Sequence, residues 1–215
     1  MKPQGKVIIQ WNSNFAYALG LLATDGCISG DGRHILLTSK DREQIENFRE
    51  CVGITNSIGM VSRGSECEKK YFRIQFGDVL FHRFLIESGI PPAKSKILSD
   101  VKVPDEYFFD FLRGHHDGDG SFYAYWDPRW RSSYMFYLTF LSASRIHIEW
   151  LRKKICQLVG VSGHINVSRE TFQLKYAKKE SLQVLKKMYY KEDVICLSRK
   201  RKKIENCLNI AGQIL

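Results

Sequence analysis

The chain has 215 residues, enough for one large domain or for two domains of about 100 residues each. Its 33 lysines and arginines outweigh 23 acidic residues, and the resulting net charge of +10 favours a polyanionic partner. A hydrophobic fraction of 44% excludes global disorder, and no apolar run approaches the roughly 20 residues that cross a membrane.

Cysteine spacing and the N-terminal sequence bear on the cellular compartment. The six cysteines, at positions 27, 51, 67, 156, 196 and 207, form no C-x-x-C pair, which disfavours a zinc ribbon or a redox motif. The first 15 residues contain no long apolar stretch of the kind that secretory signals carry. We therefore expect an intracellular protein with free thiols and without membrane association.

The first half of the sequence predicts seven elements in the order αββαββα. Apolar residues from Phe15 to Ala23 predict a helix that ends at Thr24-Asp25-Gly26. A Gly30-Asp31-Gly32 turn then separates two short strands. The remaining elements are a helix from Asp41 to Val52, strands from Ile58 to Ser62 and from Tyr71 to Phe76, and a helix from Asp78 to Ser88.

The second half repeats these seven elements in the same order. A helix from Tyr107 to His116 ends at Asp117-Gly118-Asp119-Gly120. It is followed by strands from Ser121 to Trp126 and from Ser133 to Phe140, a helix from Ser144 to Val159, strands from Gly163 to Ser168 and from Thr171 to Tyr176, and a helix from Lys179 to Tyr189. We predict an α+β fold of two αββαββα repeats, residues 1–97 (with an N-terminal tail at 1–13) and 107–215, joined by a linker at 98–106. The alternative is a single α+β domain in which the similarity is accidental.

Small residues mark one face of each repeated helix. Gly20 and Thr24 lie four residues apart, and so do Gly114 and Gly118, so each pair shares a helix face. Small residues on facing surfaces let two helices approach closely. This pattern predicts that the two helices pack directly against each other.

Two aspartates stand at the ends of these helices. In a parallel packing, Asp25 and Asp119 meet at the C-terminal ends, where two carboxylates and two negative helix ends repel one another. Such an arrangement needs cations, and oxygen ligands from carboxylate, backbone, phosphate and water suit Mg²⁺. The glycines that follow, Gly26 and Gly120, predict left-handed C-caps.

The two helix ends carry a recognisable nonapeptide. Ala18-Leu-Gly-Leu-Leu-Ala-Thr-Asp-Gly26 and Leu112-Arg-Gly-His-His-Asp-Gly-Asp-Gly120 resemble two copies of the motif that names the LAGLIDADG family. The flanking order of elements matches as well, so the resemblance covers almost the whole chain. It implies two repeats related by a pseudo-twofold axis, with the two motif helices at their interface.

The resemblance also implies an activity, that of a site-specific homing endonuclease. Such an enzyme hydrolyses both strands of duplex DNA with two or three divalent ions, Mg²⁺ by preference and Ca²⁺ or Mn²⁺ as substitutes. Asp25 and Asp119 match the family's metal-binding acids. Lys94, in Gly89-Ile-Pro-Pro-Ala-Lys-Ser95, and Lys200, in Leu197-Ser-Arg-Lys200, match the basic residue placed near each active site.

Other polar groups near these positions have less specific roles. The basic run from Arg199 to Lys203 could alternatively be a phosphate clamp or a localisation signal. Gln44 and Gln75 are candidates for supporting groups around the acids. Solvated surface lysine is the alternative for both Lys94 and Lys200.

The motifs depart from the family pattern at two places. The first copy has Ala23 where many members have an acidic residue, which in the family supports helix packing and is not the metal ligand. The second copy has His115-His116 where apolar residues are usual. Adjacent helical residues face different directions, so we expect one histidine to be buried and hydrogen-bonded and the other to lie on the surface. A metal role for these histidines is the alternative.

The resemblance implies that each repeat forms a twisted sheet whose outer face binds the DNA major groove. Alternation along each strand places one set of side chains on that face and the other set on the helices. The candidates for the outer face are Ser29, Arg33, Arg63, Arg73 and Gln75 in the first half, and Tyr125, Arg129, Arg131, Ser168, Arg169 and Lys175 in the second. Because the two sets differ, we expect an asymmetric double-stranded DNA target and a monomeric protein without an obligate protein partner.

Three other functions compete with cleavage. A LAGLIDADG-like transcription regulator or an intron RNA maturase would bind nucleic acid without cutting it, although retention of both acids favours cleavage. A protein-splicing element would need splicing segments around the endonuclease, and only about 14 residues precede the first motif helix. A basic structural protein would leave the paired motif unexplained.

Overall fold

A computed structural model of the chain describes residues 5–62, 68, 70–168 and 170–215. Its first half follows the predicted order αββαββα closely. The elements are α1 (Ser13–Thr24), β1 (Gly26–Ile28), β2 (His34–Ser39), α2 (Arg42–Cys51), β3 (Gly59–Val61), β4 (Tyr71–Gly77) and α3 (Val79–Glu87). A 3₁₀ turn at Lys94–Lys96 follows.

The second half repeats the order and adds a helix. After a 3₁₀ turn at Asp105–Tyr107 come α4 (Phe108–Asp119), β5 (Ser121–Trp126), β6 (Tyr134–Ser142), α5 (Arg145–Val159), β7 (His164–Ser168), β8 (Thr171–Ala177), α6 (Lys178–Met188) and α7 (Ser198–Ile210). The sequence interpretation assigned no helix to residues 198–210, which carry Lys200. Helix α4 also continues through Gly118, beyond its predicted end at His116.

Each half forms a four-stranded antiparallel sheet with the same strand order. The first sheet runs β1-β2-β4-β3 and the second runs β5-β6-β8-β7. Along β2, Ile35 and Leu37 are buried while Leu36 and Thr38 are partly exposed, because successive side chains point to opposite faces. The helices cover one face of each sheet, and the other face remains open. The predicted α+β class with two repeats is confirmed.

The motif helices α1 and α4 form the centre of the molecule. A Cβ atom added to Gly20 would lie 2.1 Å from the Phe111 carbonyl oxygen, and one added to Gly114 would lie 2.1 Å from the Tyr17 carbonyl oxygen. Any larger side chain at either position would push the backbones apart. The small-residue face predicted direct packing of these helices, and the backbone contacts show the reason for both glycines.

The predicted left-handed caps at Gly26 and Gly120 are wrong. Positive φ angles occur at other glycines, and Gly120 has an extended backbone with φ −84° and ψ 160°. The chain passes directly from each motif helix into a strand, so the glycine lies against the last helical turn. A Cβ at Gly26 would lie 2.6 Å from the Leu22 carbonyl oxygen, and one at Gly120 would lie 2.4 Å from a carbon of the His116 ring. Close approach, and not backbone conformation, requires these glycines.

The segment between the repeats takes part in the core. Leu98, Val101 and Val103 are buried, although this stretch was interpreted as a linker. The exact repeat boundaries remain a prediction. In the part of the chain that the structure describes, no helix has the length and apolar character needed to cross a membrane.

Candidate active site

The C-terminal ends of the motif helices bring the two aspartates to one place. Asp25 is the C-cap residue of α1, and Asp119 is the last residue of α4. A Cβ on Gly118 would lie 3.1 Å from Asp25 Oδ2, so the Asp25 carboxylate contacts the end of α4. Gln44 Nε2 donates a hydrogen bond of 2.6 Å to the same oxygen, and Ser39 Oγ donates to Gln44 Oε1 at 3.0 Å. Helix α2 and strand β2 thus orient Asp25.

The Asp119 carboxyl shows the electrostatic strain expected of this arrangement. Surrounding protein and the negative charge of Asp25 raise its pKa to about 6, although Lys94 and Lys200 oppose the shift. Part of the Asp119 residue is nevertheless exposed to solvent. The carboxylates are therefore close enough to repel each other and open enough to receive a ligand.

Lys94 contacts the end of the first motif helix. Its Nζ donates to the carbonyl oxygen of Thr24 at 3.2 Å and to that of Gly26. Ala93, just before it, has a left-handed backbone with φ 50°, an uncommon conformation for a residue with a Cβ. Lys94 is 7% exposed, and burial lowers the pKa of its ammonium against the opposing charges nearby. Solvated surface lysine does not describe this residue.

Lys200 contacts the end of the second motif helix in the same way. Its Nζ donates to the carbonyl oxygens of His116 at 2.6 Å, Asp117 at 2.8 Å and Gly120 at 2.8 Å. Burial lowers its pKa to about 8, even though Asp117, Asp25 and Asp119 favour the charged form. A cation at a helix C-terminus interacts favourably with the helix dipole, so each lysine offsets the partial negative charge at the C-terminal end of one motif helix.

The second repeat holds the segment that follows Lys94. Ser144 Oγ donates to the Leu98 carbonyl oxygen at 2.5 Å, and His147 Nδ1 lies 2.8 Å from the Ser99 carbonyl oxygen. Both residues belong to the N-terminal turn of α5. We call this pair of contacts the first clamp.

The first repeat holds the segment around Lys200, through helix α2. Asp41 accepts two hydrogen bonds from Arg199, at 2.8 and 2.6 Å, and Glu43 accepts from the backbone N–H of Ser198 at 3.1 Å. Asp117 of α4 accepts from the Leu197 N–H at 2.7 Å. We call these contacts the second clamp. Apart from the contact between Leu197 and Asp117, which lies within the second half of the chain, the contacts of the two clamps join segments from the two halves.

Two cavities open beside the aspartates. A cavity of about 320 Å³ contains Asp119, Lys94, Ser142 and Thr171 in its wall. A second cavity of about 260 Å³ contains Asp25, Gln44, Ser39, Tyr71 and Arg199. Asp25 and Asp119, and likewise Ser39 and Ser142, occupy matching positions in the two repeats, so the cavities are pseudo-symmetric.

The expectation for the paired histidines was wrong. His115 and His116 are both fully buried, and neither lies on the surface. His115 packs against His147 with ring centroids 5.2 Å apart, and His116 packs edge-on against Phe140 at 5.9 Å. Within the described residues, both ring nitrogens of His116 and Nδ1 of His115 lack a hydrogen-bond partner. Burial lowers the pKa of both histidines, so they act as neutral packing groups.

The candidates for the outer sheet face lie in three kinds of position. Arg73, Gln75, Tyr125 and Lys175 lie on strands, with side chains on the face opposite the helices. Ser29, Arg33, Arg129, Arg131 and Ser168 lie in loops or at a strand end. Arg63 and Arg169, like Cys67, lie outside the described residues. Gln75 accepts a hydrogen bond from Arg73 on this open face.

Sequence reasoning missed a buried polar network beside α4. Arg113 is fully buried and donates to Asp110 at 2.7 Å and to the carbonyl oxygens of Met188 and Ile195. Asp117 also accepts from Tyr17 Oη at 2.8 Å. These contacts anchor the connection from α6 to α7. Charged residues inside an otherwise buried helix were a usable signal, because such groups are seldom buried unpaired.

The acidic groups fit a divalent cation. Within the described residues, no group of three or more histidine, cysteine, aspartate or glutamate side chains is arranged to hold a metal ion. Mg²⁺, however, commonly binds through one or two carboxylates and completes its coordination with water and substrate phosphate. Two mutually repelling carboxylates, one with its pKa raised by the other, supply such a donor set.

Comparison with known proteins identifies the fold. No protein-family profile matches the chain, and no curated protein matches it. Among solved structures, the N-terminal LAGLIDADG domain of DUF199/WhiA has a TM-score of 0.57 at 17% identity, over 93% of this chain and 90% of that one. The I-LtrWI LAGLIDADG homing endonuclease, solved bound to target DNA, has a TM-score of 0.61 at 11% identity, over 93% and 90%.

A third structure extends the comparison. A variant of I-DmoI, solved with its target DNA in the presence of 2 mM Mg, has a TM-score of 0.53 at 11% identity, over 84% of this chain and 97% of that one. At these identities the likeness concerns the fold alone. The chain has the pseudo-twofold LAGLIDADG fold, with two four-stranded antiparallel sheets and the motif helices at the centre.

Proposed function

We propose that the protein is a metal-dependent, site-specific DNA endonuclease of the homing type. The observation that carries the proposal is the convergence of Asp25 and Asp119 at the ends of two interlocked helices, each end contacted by a buried lysine. A net charge of +10 suits a DNA partner. The solved structures of I-LtrWI and the I-DmoI variant, which share the fold, contain target DNA.

The residues around the two helix ends would have different roles in catalysis. Asp25 and Asp119 would hold Mg²⁺, and with the ion bound the site would gain activation of a water and charge neutralisation at the leaving oxygen. Gln44 fixes the orientation of the Asp25 carboxylate. Lys94 and Lys200 add positive charge beside the phosphate. Since the pKa of Lys200 is about 8, its ammonium is mostly protonated near pH 7.

The open sheet faces would position the DNA. Arg73 and Gln75 in the first sheet and Tyr125 and Lys175 in the second face away from the helices and would contact base edges. The exposed loop residues would mainly contact phosphates, and these are Ser29, Arg33, Arg129, Arg131 and Ser168. Arg63 and Arg169 belong to the same proposal on sequence grounds.

Cleavage of a genomic or randomised duplex library with Mg²⁺ tests the proposal. Discrete double-strand cuts by the wild type should disappear in Asp25→Asn and in Asp119→Asn, since each carboxylate is one metal ligand. Asp193→Asn is the matched control, because it removes the same charge from an exposed site and should leave cutting unchanged. Duplex binding without cutting in any divalent ion would instead support a binding protein, such as a regulator or an RNA maturase.

A further inference from the structure

The open faces of the two sheets present different chemistry at matching positions. Phe72 and Phe172 occupy corresponding positions in β4 and β8, so Arg73 corresponds to Gln173 and Gln75 corresponds to Lys175. The strands of the second sheet, as the structure describes them, contain no arginine. Arginine and lysine are the side chains that most often read guanine in the major groove. The one lysine on the described strands of the second sheet, Lys175, has its Nζ 3.9 Å from the centre of the Tyr137 ring, so the second sheet has no guanine reader comparable to Arg73 of the first.

Three tyrosines lie together on the open face of the second sheet. Tyr123 lies opposite Tyr137 in the strand register, with ring centroids 5.1 Å apart and planes inclined by 22°. Tyr125 stacks on Tyr137 at 6.1 Å, with its hydroxyl 3.5 Å from that of Tyr137. Lys175 Nζ lies 3.9 Å from the centre of the Tyr137 ring. We call these four residues the tyrosine cluster.

The ring of Tyr137, at the centre of the tyrosine cluster, is already covered. Tyr137 has Tyr123, Tyr125 and Lys175 packed around it, so little of its face remains open for stacking by an unpaired base. Proteins that bind single strands need open aromatic faces. The cluster exposes the Tyr125 side chain, which is 42% exposed and whose apolar ring and hydroxyl suit the methyl group and O4 of thymine at the edge of a paired base.

Two amides complete this face. Asn166 and Gln173 lie directly opposite each other in the pairing of β7 with β8. Neither side chain makes a hydrogen bond within the described residues, and both are partly exposed. Asn and Gln amides pair with the N6 and N7 edge of adenine. The face thus combines adenine readers with an apolar, hydroxyl-bearing surface suited to thymine.

We infer that the second sheet recognises a half-site rich in A·T pairs, read by the tyrosine cluster together with Asn166 and Gln173. The first sheet, with Arg73 and Gln75, reads the other half-site and accepts guanine there. The inference rests on the proposed DNA-binding function, and it assigns a different base composition to each half of the target. Single-stranded nucleic acid is the competing ligand for the cluster.

Selection by binding from a randomised duplex library, with no divalent ion added so that bound duplexes stay uncut, tests the inference. Wild-type protein should enrich sequences with an A·T-rich half and a half that contains G·C pairs. Gln173→Arg places the first sheet's reader in the second sheet and should introduce a guanine preference into the A·T-rich half alone, by about 5- to 150-fold. Arg73→Gln is the matched exchange and should remove a guanine preference from the other half.

The outcomes separate the two proposals. Failure to enrich any duplex would count against DNA recognition as a whole. Enrichment of a defined target with similar base composition in both halves, or a Gln173→Arg effect confined to the wrong half, would overturn the A·T assignment and leave DNA recognition intact. Binding to the single strands of the selected site more tightly than to the duplex would overturn it as well.

Discussion

Lys94 and Lys200 make equivalent contacts with the ends of the two motif helices, but different groups hold the two lysines in place. Lys94 follows a left-handed turn and is held by the first clamp, in which a serine and a histidine pair with backbone carbonyls. Lys200 lies in the first turn of α7 and is held by the second clamp, built from carboxylates and an arginine. The lysine ammonium groups therefore lie at equivalent places, one at each motif helix end. The contacts that position the first lysine are made by neutral groups, and those that position the second involve charged groups.

The motif helices differ in a related way. Asp117 occupies the position that Ala23 occupies in the first motif, counted from the shared Asp-Gly ending. Asp117 accepts from Tyr17 Oη and from the Leu197 N–H, which ties α4 to α1 and to the start of α7. Ala23 can make no such contact. The second lysine thus depends on a buried carboxylate, and the first lysine does not.

Replacement of Asp117 should have the largest effect on this comparison. Asp117→Ala leaves the Tyr17 hydroxyl and the Leu197 N–H without their partner in a buried region. We expect a loss of about 3–5 kcal/mol in the free energy of unfolding, measured by urea titration. Hydrogen exchange should accelerate at residues 196–200 and stay unchanged at 93–97.

Tyr17→Phe is the control for Asp117→Ala, because it removes one of the two hydrogen bonds and keeps the ring. Its loss should be about 1 kcal/mol. A loss below about 1 kcal/mol for Asp117→Ala itself would mean that the carboxylate is no more important than Ala23. Equal exchange at both lysine segments would mean that the two supports are not independent.

The two aspartates provide a second comparison, in the metal-free protein. For an acid whose pKa rises on folding, the folded state is favoured while the carboxyl is protonated. The pKa of Asp119 rises from 3.8 to about 6, so its contribution to stability falls as pH rises from about 4 through 6. Asp119→Asn should therefore stabilise the metal-free protein at pH 7, by roughly 1 kcal/mol because solvent screens this exposed residue.

Asp25→Asn should give a smaller gain, because Gln44 already donates a hydrogen bond to Asp25. Thermal unfolding at pH 5 and pH 7, with and without Mg²⁺, measures both variants. The gain for Asp119→Asn should shrink at pH 5, where the wild-type carboxyl is mostly protonated. Mg²⁺ should raise the melting temperature of the wild type more than that of either variant. A destabilised Asp119→Asn at pH 7 would contradict the charge repulsion at this site.

The sequence predicted the repeated elements well, because each follows from a local pattern. The small-residue faces of α1 and α4 and the Asp-Gly endings located the helix interface and both aspartates. Helix α7 was not predicted because its first six residues, Ser198-Arg-Lys-Arg-Lys-Lys203, include no apolar residue. Its buried side chains, Ile204 and Leu208, lie one turn apart and reveal a helix only once the core is known.

The clamps could not be predicted for a different reason. Glu43 and Ser198 are 155 residues apart, and Ser144 and Leu98 are 46 apart, so no local pattern connects them. The same holds for the carbonyl partners of Arg113, which are Met188 at the end of α6 and Ile195 beyond it. The wrong prediction of left-handed caps at Gly26 and Gly120 has a related cause. These glycines are required by close contacts with the last turn of each motif helix, and those contacts exist only in the folded chain.

Loss of the ion pair between Asp41 and Arg199 should have the smallest effect on the free energy of unfolding. Its dependence on salt should nevertheless distinguish the second clamp from the first. Arg199 is largely exposed, so water screens its attraction to Asp41 even though the two hydrogen bonds are short. Asp41→Asn should lower the free energy of unfolding by about 0.5 kcal/mol in dilute buffer and by almost nothing in 1 M salt.

Ser144→Ala is the matched change in the first clamp, and it removes neutral hydrogen bonds to the Leu98 carbonyl oxygen and from the His147 N–H. Its loss should be the same at both salt concentrations, because no charge is involved. Urea titrations of both variants in dilute buffer and in 1 M salt give the comparison directly. If Asp41→Asn proved insensitive to salt, the second clamp would be held by geometry and not by charge, and the contrast between the two lysine supports would reduce to the buried carboxylate of Asp117.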